Sequence, residues 1–283
     1  MATIVGAIAT SHIPAIGKAI ANGLQQEPYW KPFFDGFEAV RAWLSLVRPH
    51  VAVVVYNDHG LNFFLDKMPA FAVGAAAEYC NADEGWGLPV SQPYPGHPEL
   101  SWHLIESLVT DEFDITSCQE LFVDHGFTVP LSLLWGAGPL PVRTIPVVLN
   151  TVQYPYPTAK RCLNLGRAIG RAIESFPDDL RVVVLGTGGL SHQLEGERAG
   201  FINPEFDREF MSRIVDDPES LSRYSTSELI RLLGSQGVEV LNWLVMRGAM
   251  TGVVTERHRN YHAPISNTAG ATMVLENSSA VFI

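Results

Sequence analysis

The chain has 283 residues, 47% hydrophobic and 17% charged, which supplies enough apolar material for one large buried core. A formal net charge of −11 argues against nucleic acid or an anionic membrane as partner, because both select basic patches. Cys80, Cys118 and Cys162 form no C-x-x-C pair, so neither a structural zinc site nor a disulfide framework is indicated, and a reducing cytoplasm is expected.

In chain order, short β-branched runs predict strands over Ala2–Ile8, Val51–Tyr56, Val142–Leu149 and Arg181–Leu185, with less continuous runs at Ala70–Gly74 and Gly270–Leu275. Helical periodicity falls between them, over Tyr29–Leu46, His97–Asp111, Thr158–Ser175, Pro204–Asp216 and Val238–Met250. Uninterrupted apolar strands suit a sheet covered on both faces. Strands alternating with helices predict an α/β fold: a single layered domain over 1–283, with a central mixed or parallel sheet flanked by helices. Asn81–Gly96 is rich in Gly, Pro and Asp and reads as a long excursion serving as a lid, binding loop or subunit contact. No apolar run reaches about 18 residues and the N-terminus lacks a basic signal region, so a soluble protein is expected.

The histidines carry the functional signal. His12 follows the first predicted strand, His59 the second and His192 the fourth, each time after a short polar turn. Open α/β sheets bind ligands beyond the carboxyl ends of their strands. If those three strands are parallel neighbours, the three imidazoles converge on one crevice. One such histidine is an ordinary structural residue; three at equivalent places are not. His125 lies in a turn beside Asp124 and is a candidate to support the site. His50, His97, His103, His258 and His262 read as surface or structural.

A metal site also needs a carboxylate. Glu239 falls in the opening turn of an otherwise apolar helix, where either the helix dipole or a buried partner accounts for it. Two histidines and one carboxylate form the facial set of non-haem Fe(II) oxygenases, although the same ligand types serve zinc hydrolases. From residue types the choice of iron or zinc stays open. Phosphate-loop, dinucleotide and G-x-S-x-G signatures are absent, and Gly186–Gly189 reads as a tight turn that aims His192.

TSHIPAIG at His12, VYNDHG at His59, ADEGWG and PGHPEL in the long loop, and VDHGFTVPLS at His125 occur in one order with GTGGLSHQLEGERAG at His192, GVEVLNWLVMRGAM at Glu239 and SNTA at Ser266. Together they resemble the class III extradiol dioxygenases, and within that family the catalytic β subunits of protocatechuate 4,5-dioxygenases. The resemblance implies Fe(II) held by His12, His59 and Glu239, with His192 as catalytic acid/base and His125 as a second active-site histidine. It places Ser266 and Asn267 against the substrate carboxylate. It further implies a small separate α subunit in an α₂β₂ assembly.

The expected reaction is ring opening of protocatechuate by O₂ to 4-carboxy-2-hydroxymuconate semialdehyde, with gallate or 3-O-methylgallate as alternative substrates. Gallate-cleaving relatives resemble the SNTA stretch less and usually carry a C-terminal domain that this sequence lacks. Two other readings stay open, a zinc hydrolase with the same triad and a non-enzymatic protein that keeps the fold. The first predicts activity without O₂; the second predicts a damaged triad.

Overall fold

Val51, Val53 and Val55 face one side of the sheet, and Ala52, Val54 and Tyr56 face the other; all six are buried. That two-sided burial is what a continuous apolar strand demands, and it produces helical layers on both faces. The computed structural model describes residues 1–85, 87–88, 93–136 and 138–277. Its first half runs β1 (Thr3–Thr10), α1 (Pro14–Ala21), α2 (Lys31–Asp35), α3 (Phe37–Val47), β2 (Val51–Tyr56), β3 (Phe71–Gly74), β4 (Glu78–Asn81), β5 (Tyr94–Pro95), α4 (Pro98–Thr110), β6 (Ile115–Cys118), β7 (Phe122–Val123) and α5 (His125–Trp135). The second half runs β8 (Arg143–Leu149), α6 (Ala159–Ser175), β9 (Arg181–Thr187), α7 (Pro204–Asp216), α8 (Pro218–Leu221), α9 (Thr226–Leu233), α10 (Val240–Ala249), β10 (Val254–Ile265) and β11 (Thr268–Asn277).

The main sheet has the order β10-β11-β1-β9-β2-β8-β3-β6. Strands β1, β9, β2 and β8 are mutually parallel, whereas β11 pairs antiparallel with β1 and β3 antiparallel with β8. This is the mixed α/β sheet expected, and the three strands that precede His12, His192 and His59 are consecutive neighbours in it. One core layer contains α4, α6, α7, α9 and α10; the other contains α1, α2, α3 and α5.

Three expectations need correction. The predicted helix Tyr29–Leu46 is two helices, α2 and α3, joined at Gly36, where the Asn260 side chain packs into the space a Cβ would take. The hairpin strand β10 was not anticipated because its alternation is polar and half-buried. The excursion Asn81–Gly96 is not wholly irregular: its ends belong to a second sheet, β5-β4-β7. Trp86 and residues 89–92 of that excursion lie outside the described residues.

Helix α10 is buried on nearly every side and crosses α6 at closely apposed glycines, with a Cβ on Gly166 colliding with the Val245 carbonyl and the Gly248 backbone. Replacing Gly166 with valine is therefore expected to destabilise the fold by about 3 kcal/mol, the upper end for overpacking, because backbone cannot yield as a side chain can. Urea unfolding checks it; a midpoint within error of the parent's contradicts it. Among the described residues no helix is long and apolar enough to cross a membrane.

Candidate metal centre and active site

The parallel trio β1, β9 and β2 delivers its histidines to one place. His12 lies two residues beyond β1 and His59 three beyond β2; His192 lies five beyond β9. Gly188 and Gly189, with φ of 101° and 59°, turn the chain after β9 in a conformation that favours glycine. The space is also closed to a side chain: a Cβ on Gly188 would stand 2.8 Å from Glu239 Oε2 and 3.1 Å from His12 Cε1. Glu239 ends a one-turn 3-10 helix, Gly237–Glu239, that leads into α10, close to where the sequence placed it.

The distances define a compact cluster. Glu239 Oε1 lies 3.3 Å from His12 Nε2 and 3.7 Å from His59 Nε2, and its Oε2 lies 3.8 Å from His192 Nε2. His12, His59 and His125 bring ligand atoms within 4.8 Å of one another, so an all-histidine group overlaps the group built on Glu239. The His59 and His125 rings are 4.0 Å apart at 32°. His125 does not sit in a free turn, as the sequence suggested. It opens α5, whose cap is Asp124, accepting from Gly126 N–H.

Each of the four imidazoles has its Nδ1 committed to a different neighbour. His12 Nδ1 is 3.0 Å from Thr187 Oγ, and that hydroxyl donates to the Gly126 carbonyl, so it accepts from the ring. His59 Nδ1–H donates to Asp124 Oδ2 at 3.0 Å, and its backbone N–H donates to the same oxygen at 2.7 Å. His125 Nδ1–H donates to Glu84 at 2.7 Å, and His192 Nδ1–H donates to the Leu190 carbonyl at 2.9 Å. Since carboxylates and carbonyls only accept, Nε2 is the nitrogen each ring turns to the interior, where that of His59 stands 3.0 Å from Asn57 Nδ2. Neighbours that fix the ring nitrogen in this way are the usual companions of metal-binding histidines.

The donor set fits a divalent cation. His12 Nε2 is buried without a hydrogen-bond partner. Burial alone would push the Glu239 carboxyl up, but His12, His59 and His192 hold it well below the usual range, so it is a carboxylate. Burial pushes His59 down, yet Asp124 and Glu239 outweigh it and lift its imidazole to about 10 in the metal-free chain. A cation at Nε2 takes the place of that proton. Burial pushes Asp124 up, yet His59 overrides it and leaves the carboxyl at about 2.

Ser266 and Asn267 are exposed at the turn between β10 and β11, not inside the cluster. The next residue, Thr268, pairs with His192, which ties this turn to the loop that follows β9. Tyr29 braces it, donating to the Pro264 carbonyl at 3.3 Å and accepting from Ser266 N–H at 2.9 Å. Tyr29, Thr187, Asn57 and Glu84 were not singled out from sequence. Asn57 Nδ2 reaches Glu239 Oε1 at 3.2 Å, and only its place before Asp58-His59 could have marked it.

Behind His192 lies a further buried carboxylate. Asp207 accepts from Ser191 N–H and Oγ–H at 2.9 and 2.6 Å and from Tyr261 O–H at 2.9 Å. Burial lifts its carboxyl to about 6 against those hydrogen bonds. The folded chain then holds this proton more tightly than the unfolded chain, so the stability it contributes is full below about pH 4 and is lost as pH rises through about 6. Two pKa units correspond to roughly 3 kcal/mol. Compared with Asp207→Asn, the parent should lose stability between pH 4.5 and 7 in urea titrations; parallel curves would contradict the assignment.

The chain belongs to the family described as the catalytic LigB subunit of aromatic ring-opening dioxygenase, which matches residues 6–271. A gallate dioxygenase of Pseudomonas putida is 44% identical over 197 residues, covering 69% of this chain and 58% of that protein. A 2,3-dihydroxyphenylpropionate/2,3-dihydroxicinnamic acid 1,2-dioxygenase of Photorhabdus laumondii is 34% identical over 203 residues, 71% of this chain and 60% of that one. The chain thus spans less than two thirds of the length of these two relatives. The crystal structure of the uncharacterized protein JW3007 from Escherichia coli K12 superposes with a TM-score of 0.60 at 15% identity, over 95% of this chain and 99% of that one, a likeness of fold.

Proposed function

We propose that this chain cleaves the ring of gallate or a methylated gallate with O₂ at an Fe(II) centre held by His12, His59 and Glu239. The observation that carries the reading is the convergence of three imidazoles, His12, His59 and His192, on the Glu239 carboxylate beyond the ends of three parallel strands, each ring pinned at Nδ1. Glu239 is preferred to His125 as third ligand because a carboxylate offsets the charge of a dication, and two imidazoles with one carboxylate leave coordination positions free. The 44% identity to a protein named gallate dioxygenase supports gallate over protocatechuate, the substrate first expected from sequence.

When bound, the iron supplies one centre at which an ortho-diphenol and O₂ are held together, turning a bimolecular encounter into an intramolecular one. The rest falls to the chain. His192, with its Nδ1 hydrogen given to Leu190, takes the proton of a substrate hydroxyl on Nε2 and later returns it during ring opening. Thr187 and Asp124 keep His12 and His59 from rotating. Ser266 and Asn267 meet the substrate carboxylate at the mouth of the site, on a turn that Tyr29 braces.

A small α subunit closing that mouth belongs to the same proposal. Phe64, Leu65 and Phe122 are exposed near His59 and Asp124, and a partner chain would cover them. Free Cys80, Cys118 and Cys162 suit a reducing cytoplasm. The substrate assignment is tested by comparing kcat/KM for gallate, 3-O-methylgallate and protocatechuate with the Fe(II)-loaded chain. Gallate or 3-O-methylgallate should be preferred; preference for protocatechuate would restore the substrate first expected.

A further inference from the structure

Among the described residues of the long excursion after β4, Glu84 reaches His125. Strands β4 and β7 are parallel, with Cys80 opposite Phe122 and Asn81 opposite Val123, so the residues beyond them leave the small sheet at the same end. Glu84 follows Asn81 by three residues and His125 follows Val123 by two, and they meet. Glu84 Oε1 accepts from His125 Nδ1–H at 2.7 Å, and Oε2 accepts from His125 backbone N–H at 2.7 Å. The two side chains are 6% and 5% exposed.

A helix cap would need one of those oxygens. Asp124 already caps α5 through Gly126 N–H, and Glu84 adds a second acceptor at His125 N–H. The other Glu84 oxygen is aimed at the imidazole, where it has no part in capping. A carboxylate cannot donate, so the contact fixes the hydrogen on Nδ1 and leaves Nε2 as the free nitrogen. The ring is also held against His59 at 4.0 Å and His12 at 5.4 Å. Orientation and tautomer are thus set by a residue 41 positions away in the chain.

We propose that Glu84 is a positioning residue of the active site: it locks the His125 ring in the Nδ1–H form with Nε2 turned toward the space that substrate and O₂ occupy. The proposal deepens the dioxygenase reading and rests on it. Partners of metal-binding histidines typically contribute about 10- to 100-fold to affinity or activity, and an effect of that size is expected for Glu84 on His125.

The test uses the full chain with Glu84→Gln, Glu84→Ala, His125→Phe and the Glu84→Ala/His125→Phe pair. Loaded with Zn(II), a diamagnetic stand-in, the parent should show ¹⁵N signals of His125 in the Nδ1–H form. Glu84→Ala should lose that single form, while the nearly isosteric Glu84→Gln, with one acceptor oxygen left, should fall between. Loaded with Fe(II), Glu84→Ala should lower kcat about 10- to 100-fold with a smaller change in KM, and add little to His125→Phe. Unchanged His125 signals and kcat in both Glu84 variants, with only a lower melting temperature, would reduce Glu84 to a cap and overturn the proposal. Absence of O₂ uptake by the parent itself would instead overturn the dioxygenase reading, and the His125 signals would still decide the positioning claim.

Discussion

His192→Ala is expected to keep its iron and lose its turnover, by about a hundredfold to ten-thousandfold, the range for removing a general acid/base. In the proposed site this histidine moves protons and binds no metal. Its Nδ1 is held by the Leu190 carbonyl, its backbone N–H by Leu233 O, and its Nε2 stands 3.8 Å from the far oxygen of Glu239. A group so placed beside the proposed ligand set can exchange protons with a substrate bound there. The loop is fixed independently of the ring, because Ser191 is bonded to Asp207 and Leu190 N–H to the Ala269 carbonyl. Metal analysis and O₂ uptake on the same preparation decide the matter. Iron loss matching the loss of rate would make His192 a ligand.

Glu239→Ala should behave in the opposite sense and fail to retain iron. Its carboxylate faces His12, His59 and His192 with both oxygens, and it also accepts from Asn57 Nδ2 at 3.2 Å and Gly189 N–H at 2.9 Å. Removing one member of a buried charged set costs on the order of 3 to 5 kcal/mol, or a factor of hundreds to thousands in affinity. The variant leaves those donors without an acceptor while Asp124 still holds His59. Iron content after gel filtration checks this, with Glu239→Gln keeping the shape of the side chain without its charge. Full iron in both variants would move the third ligand to His125.

Much of this site was legible because strand ends are legible. The runs before His12, His59 and His192 have two-sided apolar character, and parallel strands of that kind bring their succeeding turns to one edge of the sheet. The neighbour relation of β1, β9 and β2 was a condition in the sequence and became an observation only in the sheet order. Glu239 was ambiguous because a first-turn acid is satisfied equally by the helix dipole; in the fold it lies within 4 Å of three histidines. His125 was misjudged as a turn residue because helix α5 carries Gly126 and Pro130, which mask the helical pattern.

The supporting residues were hidden for a different reason. Thr187 is the last residue of a buried strand and looks like part of the sheet, yet its hydroxyl sets the hydrogen on His12. Asp207 sits in the first turn of α7, where any acid is unremarkable, and it acts on Ser191 across 16 positions. Glu84 lies in an excursion read as a lid, binding loop or subunit contact, and nothing in that composition points to His125. Such partners are set by tertiary register, and no local pattern encodes them.

The central claim, that this cluster performs O₂-dependent ring opening, is tested most directly by O₂ uptake with gallate, comparing the chain loaded anaerobically with Fe(II) and the chain loaded with Zn(II). One O₂ should be consumed per ring opened with Fe(II) and none with Zn(II). No uptake on any ortho-diphenol with Fe(II), together with hydrolytic activity supported by Zn(II), would contradict the claim.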